Sequence, residues 1–207
     1  DLYADVLLRQ ERLCETLGLR TRQLDTIERL IALLAPGGDS PRLAEVHLRH
    51  GDVSTLLRRF EQADHALAAA LASSERRGDR AAARNAHRSI GLLRSHEGRF
   101  EEAVASVQRA LSIDLELEEH AAAAADTASL GSALRKLGRM DEAVSALNGA
   151  FDLIGPADEP VRLCMLHTVI SQVYRDIGDT DAALRHLEVV RDLAISRRLP
   201  LMLPFCL

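Results

Sequence analysis

Residues 91–111 read GLLRSHEGRFEEAVASVQRAL and residues 131–151 read GSALRKLGRMDEAVSALNGAF, agreeing at Gly91/Gly131, Gly98/Gly138, Arg99/Arg139, Glu102/Glu142, Ala103/Ala143, Val104/Val144 and Ala110/Ala150. A chain that says the same thing twice at a fixed step of forty residues is built from stacked copies of one supersecondary unit. One step back, residues 51–71 keep Gly51, Arg59, Phe60, Ala63, Leu67 and Ala70; one step forward, residues 171–191 keep Gly178, Ala183 and Leu187. A further step back reaches Gly18, followed by Leu24, Ile27, Leu30 and Ile31 at helical spacing. The expected units are 2–36 (degenerate), 40–77, 79–117, 119–155 and 158–197, forming one repeat domain over 1–207 in which 198–207 starts a further unit or a linker.

Within each unit apolar residues recur at i, i+3, i+4 and i+7, the period of a helix packed on one side, and no segment alternates like a strand. Each unit therefore predicts two helices broken at Gly18, Gly98, Gly138 or Gly178, where glycine takes the left-handed conformation that bulkier residues resist. Arg58 occupies that place in the second unit and is expected to be strained there. Ser40 and Pro41 read as the N-cap and first residue of a helix, and the segment 155–160 (GPADEP) does similar work before the last pair. Small residues, Gly91, Ala103 and Ala110 among them, let neighbouring helices approach closely. One hairpin cannot bury both of its apolar faces, so the stack itself makes the core. The expected fold is all-α: a right-handed superhelical solenoid of antiparallel helix pairs.

Composition removes several functional classes. With 47% hydrophobic and 28% charged residues the chain is ordinary globular material, and no apolar run approaches the roughly 18 residues of a membrane span. A net charge of −5 and only 3% aromatic residues argue against a nucleic-acid surface. The expectation is a cytoplasmic, bacterial protein that binds neither membrane nor nucleic acid. Cys14, Cys164 and Cys206 are scattered, with no CxxC pair, and read as isolated reduced thiols. No phosphate-binding glycine loop, GxSxG elbow or HExxH occurs, so no enzyme, cofactor or metal is expected. His47, His87 and His167 share one repeat position, which fits packing; His47 and His50 lie a helical turn apart without a visible third ligand. The pairs Glu101–Glu102 and Glu118–Glu119 flank helix starts, where acidic side chains complement the helix dipole.

The order Gly91, Gly98, Phe100, Ala103, Val107, Ala110 resembles the tetratricopeptide repeat, over residues 40–197 and more faintly over 2–36. The forty-residue period resembles the subclass of kinesin light chains, Pins-type adaptors and bacterial Rap- and PlcR-type regulators. The resemblance implies a scaffold that binds a protein or linear peptide in a concave groove lined by the first helix of each pair. Carried over residue by residue, the groove positions are Glu45, Leu48, Asp52 and Thr55, then Asn85, Arg88, Leu92, Ser95 and His96. They continue with Ala125, Ala128, Ser132, Arg135 and Lys136, then Met165, Thr168, Gln172, Arg175 and Asp176. Arg88, Arg135, Lys136 and Arg175 make a basic stripe suited to an acidic partner segment, or else a solvated helix surface. The alternative function is the effector-sensing arm of a larger ATPase or transcription regulator that binds a small ligand. The apolar end LPLMLPFCL, 199–207, predicts either a fragment of a longer protein or self-association through that end.

Overall fold

The computed structural model of the protein describes residues 2–154, 160–197 and 199. Among these residues ten α-helices follow one another without a strand: α1 (Leu2–Thr16), α2 (Arg20–Leu34), α3 (Pro41–Leu56), α4 (Phe60–Arg77), α5 (Arg80–Glu97), α6 (Phe100–Glu116), α7 (His120–Lys136), α8 (Met140–Leu153), α9 (Pro160–Ile177) and α10 (Thr180–Ser196). A single 3-10 turn, Ala35–Gly37, lies between α2 and α3. Residues 155–159 and the apolar segment 198–207, Leu199 apart, lie outside the described residues, and with them the expected C-terminal association surface and all of the cap segment expected at 155–160 except Pro160, the first residue of α9.

The helices end where backbone conformation makes them end. The described residues with positive φ are Gly18, Gly38, Arg58, Gly78, Gly98, Glu118, Gly138 and Gly178, all on one ladder with a twenty-residue rung. At Gly98 the amide donates to Ser95 O and the next amide, Arg99 N, reaches back to Arg94 O at 2.8 Å. This is the Schellman closure, which satisfies carbonyls that the last turn of a helix leaves open. Arg58 and Glu118 make the same closure without glycine: Arg59 N meets Ser54 O at 2.8 Å and Glu119 N meets Asp114 O at 2.9 Å. Their φ values of 58° and 57° place two side chains in the region L residues avoid. Arg58 is the strained turn residue that the repeat predicts; Glu118 is a second that the same ladder contains.

Three helix starts are capped by short polar side chains. Ser40 Oγ accepts Leu43 N at 3.2 Å with Pro41 first in α3, while Asp79 and Asp179 accept Ala82 N and Ala182 N at 3.0 and 2.9 Å. Glu101 and Glu102 lie in the first turn of α6, whereas Glu119, at the N-cap of α7, makes no capping hydrogen bond.

The chain forms two compact halves, Asp1–Arg99 and Phe100–Leu207, meeting in sequence at the α5–α6 turn. In the N-terminal half, Leu7, Leu24, Ile27, Leu30, Val46 and Val53 join α1, α2 and α3 in one cluster, and Ala63, Leu67 and Leu93 join α4 to α5. The C-terminal half has one larger cluster, with Val107, Leu147, Leu166, Ile170 and Val173 among its members. Close approach of paired helices depends on glycine. A Cβ on Gly51 would stand 2.4 Å from Leu67, and one on Gly131 would stand 2.8 Å from Leu147, both leucines being fully buried. Cys14 and Cys164 are free, buried thiols.

The candidate binding face

The first helices of the pairs carry the candidate residues in each half. In the N-terminal half, α3 presents Glu45 and Leu48, and α5 presents Asn85. The three line one pocket of about 280 Å³, floored by Ala44 and Ala70 and walled at one end by Arg77 and Asp79. Alanine at position 70 follows from the repeat, which has Ala110 and Ala150 at the same place. Leu92, on the same helix as Asn85, is 46% exposed, an apolar side chain presented to solvent. His96 is exposed at the end of α5, and Arg88 and Ser95 are half-buried. Thr55 is buried and its hydroxyl donates to Gly51 O at 2.8 Å, so it serves its own helix.

Charges around this pocket are organised in layers. Glu11 of α1, 1% exposed, accepts Gln23 Nε2 at 2.7 Å and Arg49 Nη1 at 2.5 Å. Arg49 also reaches Glu45 at 3.1 Å, so the rim carboxylate of the pocket is tied through Arg49 to the core. Asp52 packs near Ser89; burial pushes its carboxyl above the ordinary range, more than the Ser89 hydrogen bond and the Arg49 charge lower it. Arg77 is held by Asp39 at 3.3 Å and Asp79 at 3.8 Å and donates to Ser73. Asp39, bonded by Ser73 and by Arg76 at 2.9 Å, has its carboxyl held below the ordinary range by those hydrogen bonds. Arg77, Asp79 and Ala70 are pocket residues that the repeat alignment of first helices did not nominate. For Arg77 and Asp79 the signal was present in the Gly78–Asp79 turn, which brings them to the start of α5.

In the C-terminal half, Ser132, Arg135 and Lys136 stand on α7 and Thr168, Gln172 and Arg175 on α9. The two helices are tied by an ion pair, Arg135 Nη1 to Asp176 Oδ2 at 2.5 Å, with the Arg135 side chain 13% exposed. The hydrogen bond from Arg135 is the main reason the Asp176 carboxyl lies below its ordinary value. Arg135 is therefore spoken for. The cations that reach solvent on this face are Lys136, exposed, and Arg175, whose side chain is 68% exposed although its Nε lies 3.5 Å from Asp176 Oδ1. Thr168 and Ser132 donate to Cys164 O and Ala128 O of their own helices at 2.7 and 3.0 Å, leaving their oxygens as acceptors. Met165, one turn before Thr168, is 43% exposed. Gln172 is half-buried.

The shared histidine position behaves as packing. His87 is buried, and His47 is partly buried with its imidazole held below the ordinary value by burial first and by His50 and His65 next. His167 lies in a ring cluster with Phe151 at 4.6 Å between centroids and His186 at 5.1 Å, while Tyr174 stacks on His186 at 5.5 Å. The two imidazoles share one hydrogen bond, Nδ1 to Nδ1 at 2.8 Å, which requires a donor on one ring and an acceptor on the other. Burial, and then the neighbouring His186, push His167 down to about 4.

The tetratricopeptide repeat profile matches residues 89–117 and 128–154. No curated protein sequence matches the chain significantly. Among solved structures, the nearly identical TPR-like repeats of a kinesin light chain candidate from Podosopora anserina share the fold at a TM-score of 0.76 and 18% identity, over 94% of this chain and 96% of that one. BtubC (BKLC) from P. vanneervenii gives 0.70 at 16% identity, over 96% and 91%. A Rap protein solved with competence and sporulation factor gives 0.73 at 15% identity, over 93% of this chain but 57% of that one. The chain is thus a helical-repeat protein that carries tetratricopeptide repeats, in a fold it shares with kinesin-light-chain-like and Rap structures.

Proposed function

We propose that the chain is a non-enzymatic scaffold that binds a linear protein segment along the faces of its first helices, within a signalling or regulatory protein. The observation that carries this reading is the pocket of about 280 Å³ where Glu45, Leu48 and Asn85 converge. It has the size of a side-chain pocket rather than a cofactor cavity, with an alanine floor for an apolar group and an amide and a carboxylate at the rim to orient the backbone beside it. Leu92 and Met165 add exposed apolar anchors, and Arg88, His96, Ser132, Arg135, Lys136, Thr168, Gln172 and Arg175 complete the polar lining of the two faces. Lys136 and Arg175 favour acidic residues in the bound segment. The Rap protein of like fold was solved with competence and sporulation factor, which supports a binding module of this kind.

The test is a random peptide library panned against the full chain, with affinities of selected peptides measured by calorimetry. Lys136→Glu/Arg175→Glu should weaken binding at least tenfold, and added salt should weaken the wild type, because exposed charges are screened. Arg22→Glu/Arg109→Glu, which changes net charge equally on the second helices α2 and α6, should leave affinity within about twofold. Leu92→Asp should also reduce it. Equal losses from both charge pairs, no loss from either, or a library that yields no peptide would contradict the proposal.

A further inference from the structure

The pocket that Leu48 and Asn85 line holds more negative charge than positive. Glu45 and Asp79 stand in its wall with a single cation, Arg77. That cation is already engaged, lying 3.3 Å from Asp39 and 3.8 Å from Asp79, while Asp39 is held as well by Arg76 at 2.9 Å. Arg49, 3.1 Å from Glu45, is bonded more closely, at 2.5 Å, to the buried carboxylate of Glu11. In this network Glu11, Asp39, Glu45 and Asp79 face Arg49, Arg76 and Arg77, so one negative charge has no counterpart.

Both lining carboxylates keep an oxygen for a further partner. Asp79 Oδ1 caps Ala82 N at 3.0 Å, and its Oδ2 stands 3.8 Å from Arg77 Nη2, beyond hydrogen-bond reach. Arg49 bonds Oε1 of Glu45 and leaves Oε2, on a side chain 57% exposed. Asp52, about two turns along α3 from Glu45, shows the same shortage of cations. Burial pushes its carboxyl above the ordinary range in spite of the Ser89 hydrogen bond and the Arg49 charge, and Glu15 adds to the rise.

Much of the remaining wall is aliphatic, from Ala44, Leu48, Ala70 and Ala82. Carboxylates beside an aliphatic slot suit a side chain with a long apolar stem and a cationic head. A neutral apolar side chain would leave the charge unmet, and an acidic one would add to it. We propose, on the scaffold reading above, that this pocket selects a lysine or arginine of the bound segment, its stem lying along Ala44, Leu48 and Ala70 and its cation meeting Glu45 and Asp79. Asn85, whose Oδ1 accepts Arg84 Nε at 3.3 Å, keeps its amide N–H groups for a backbone carbonyl beside that anchor. The N-terminal half therefore calls for the charge opposite to the one that Lys136 and Arg175 favour in the C-terminal half.

Panning the random peptide library against the full chain and against Glu45→Gln/Asp79→Asn tests it. Both replacements keep side-chain size, and asparagine still caps α5 through its oxygen, so the melting temperature should stay close to wild type. Peptides taken by the wild type should share a basic residue at one position. Replacing that residue by norleucine, which keeps a stem and removes the charge, should weaken binding about tenfold or more by calorimetry. Glu45→Gln/Asp79→Asn should bind the basic and norleucine peptides within about twofold of each other. Glu61→Gln/Glu75→Gln, which removes equal charge from exposed positions of α4 outside this pocket, should keep the full difference. A library that yields no peptide removes the scaffold reading and the basic anchor with it. Peptides without a shared basic residue, a norleucine peptide that binds as tightly as its parent, a basic preference that persists in Glu45→Gln/Asp79→Asn, or its equal loss in the α4 control would each overturn the anchor and leave the scaffold reading standing.

Discussion

At the scale of single residues, the turns decide where helices stop. Gly98, Gly138 and Gly178 at φ 79°, 76° and 93° are readable from the sequence, because glycine alone takes such angles without cost. Arg58 is readable only by register, and its outcome agrees. Glu118 shows the limit of following one series of turns. It belongs to the second series, after Gly38 and Gly78, where a polar segment hid the backbone requirement. Glu118→Gly should stabilise the protein by up to about 1 kcal/mol, read as a higher denaturant midpoint. Arg58→Gly should gain less, because Arg58 lies 5.4 Å over the Phe60 ring and that cation–π contact is worth roughly 0.5 kcal/mol at an exposed site. Gly131→Ala should go the other way. Helix propensity favours alanine by about 1 kcal/mol, but its Cβ would press on the fully buried Leu147, so a net loss of roughly 1–2 kcal/mol is expected. Midpoints that rise for Gly131→Ala would show that α7 and α8 are not packed this closely.

At the scale of elements, the helix pairs were legible from apolar spacing and the polar ties between them were not. Glu11 and Gln23 stand in the degenerate first unit where the later units have Gly51 and Ala63, so the register marks them as departures but does not announce that Glu11 is buried and bridged by Arg49 at 2.5 Å. Arg49→Met strands that carboxylate and should cost roughly 3 kcal/mol. Glu11→Gln/Arg49→Met, which removes both charges and keeps an amide facing Gln23, should return to within about 1 kcal/mol of wild type. Additive losses in that cycle would mean the two side chains act independently. The ring pair between α9 and α10 sets a pH dependence. An unfolded histidine takes its proton below about pH 6.5, but folded His167 resists until about 4. The unfolded state binds more protons across that window, so the stabilisation is full above about pH 6.5 and is lost as pH falls towards 4. Each pKa step is about 1.4 kcal/mol, and discounted for partial exposure the loss is roughly 1–2 kcal/mol. Melting temperatures recorded from pH 7 to 4.5 should fall more steeply for the wild type than for His167→Leu/His186→Leu. Parallel curves would contradict the buried pair.

At the scale of the whole molecule, the forty-residue register was enough for fold class and helix order, because the four later pairs meet the same packing problem and solve it with small residues at the same places. The candidate face was only partly legible. Repeat alignment selects which helix a residue sits on, and it brought Glu45, Leu48 and Asn85 to one pocket. It does not see ion pairing across helices, so Arg135 read as a free cation although Asp176 of α9 holds it. It also says nothing of Arg77 and Asp79, which enter the pocket from a turn. The central claim of the proposed function is that the first helices bind and the second helices support them. Hydrogen exchange of the full chain with and without a library-selected peptide measures this directly. Slowed exchange should concentrate in α3 and α5, or in α7 and α9, with α2, α4, α6, α8 and α10 unchanged; protection confined to those second helices would contradict it.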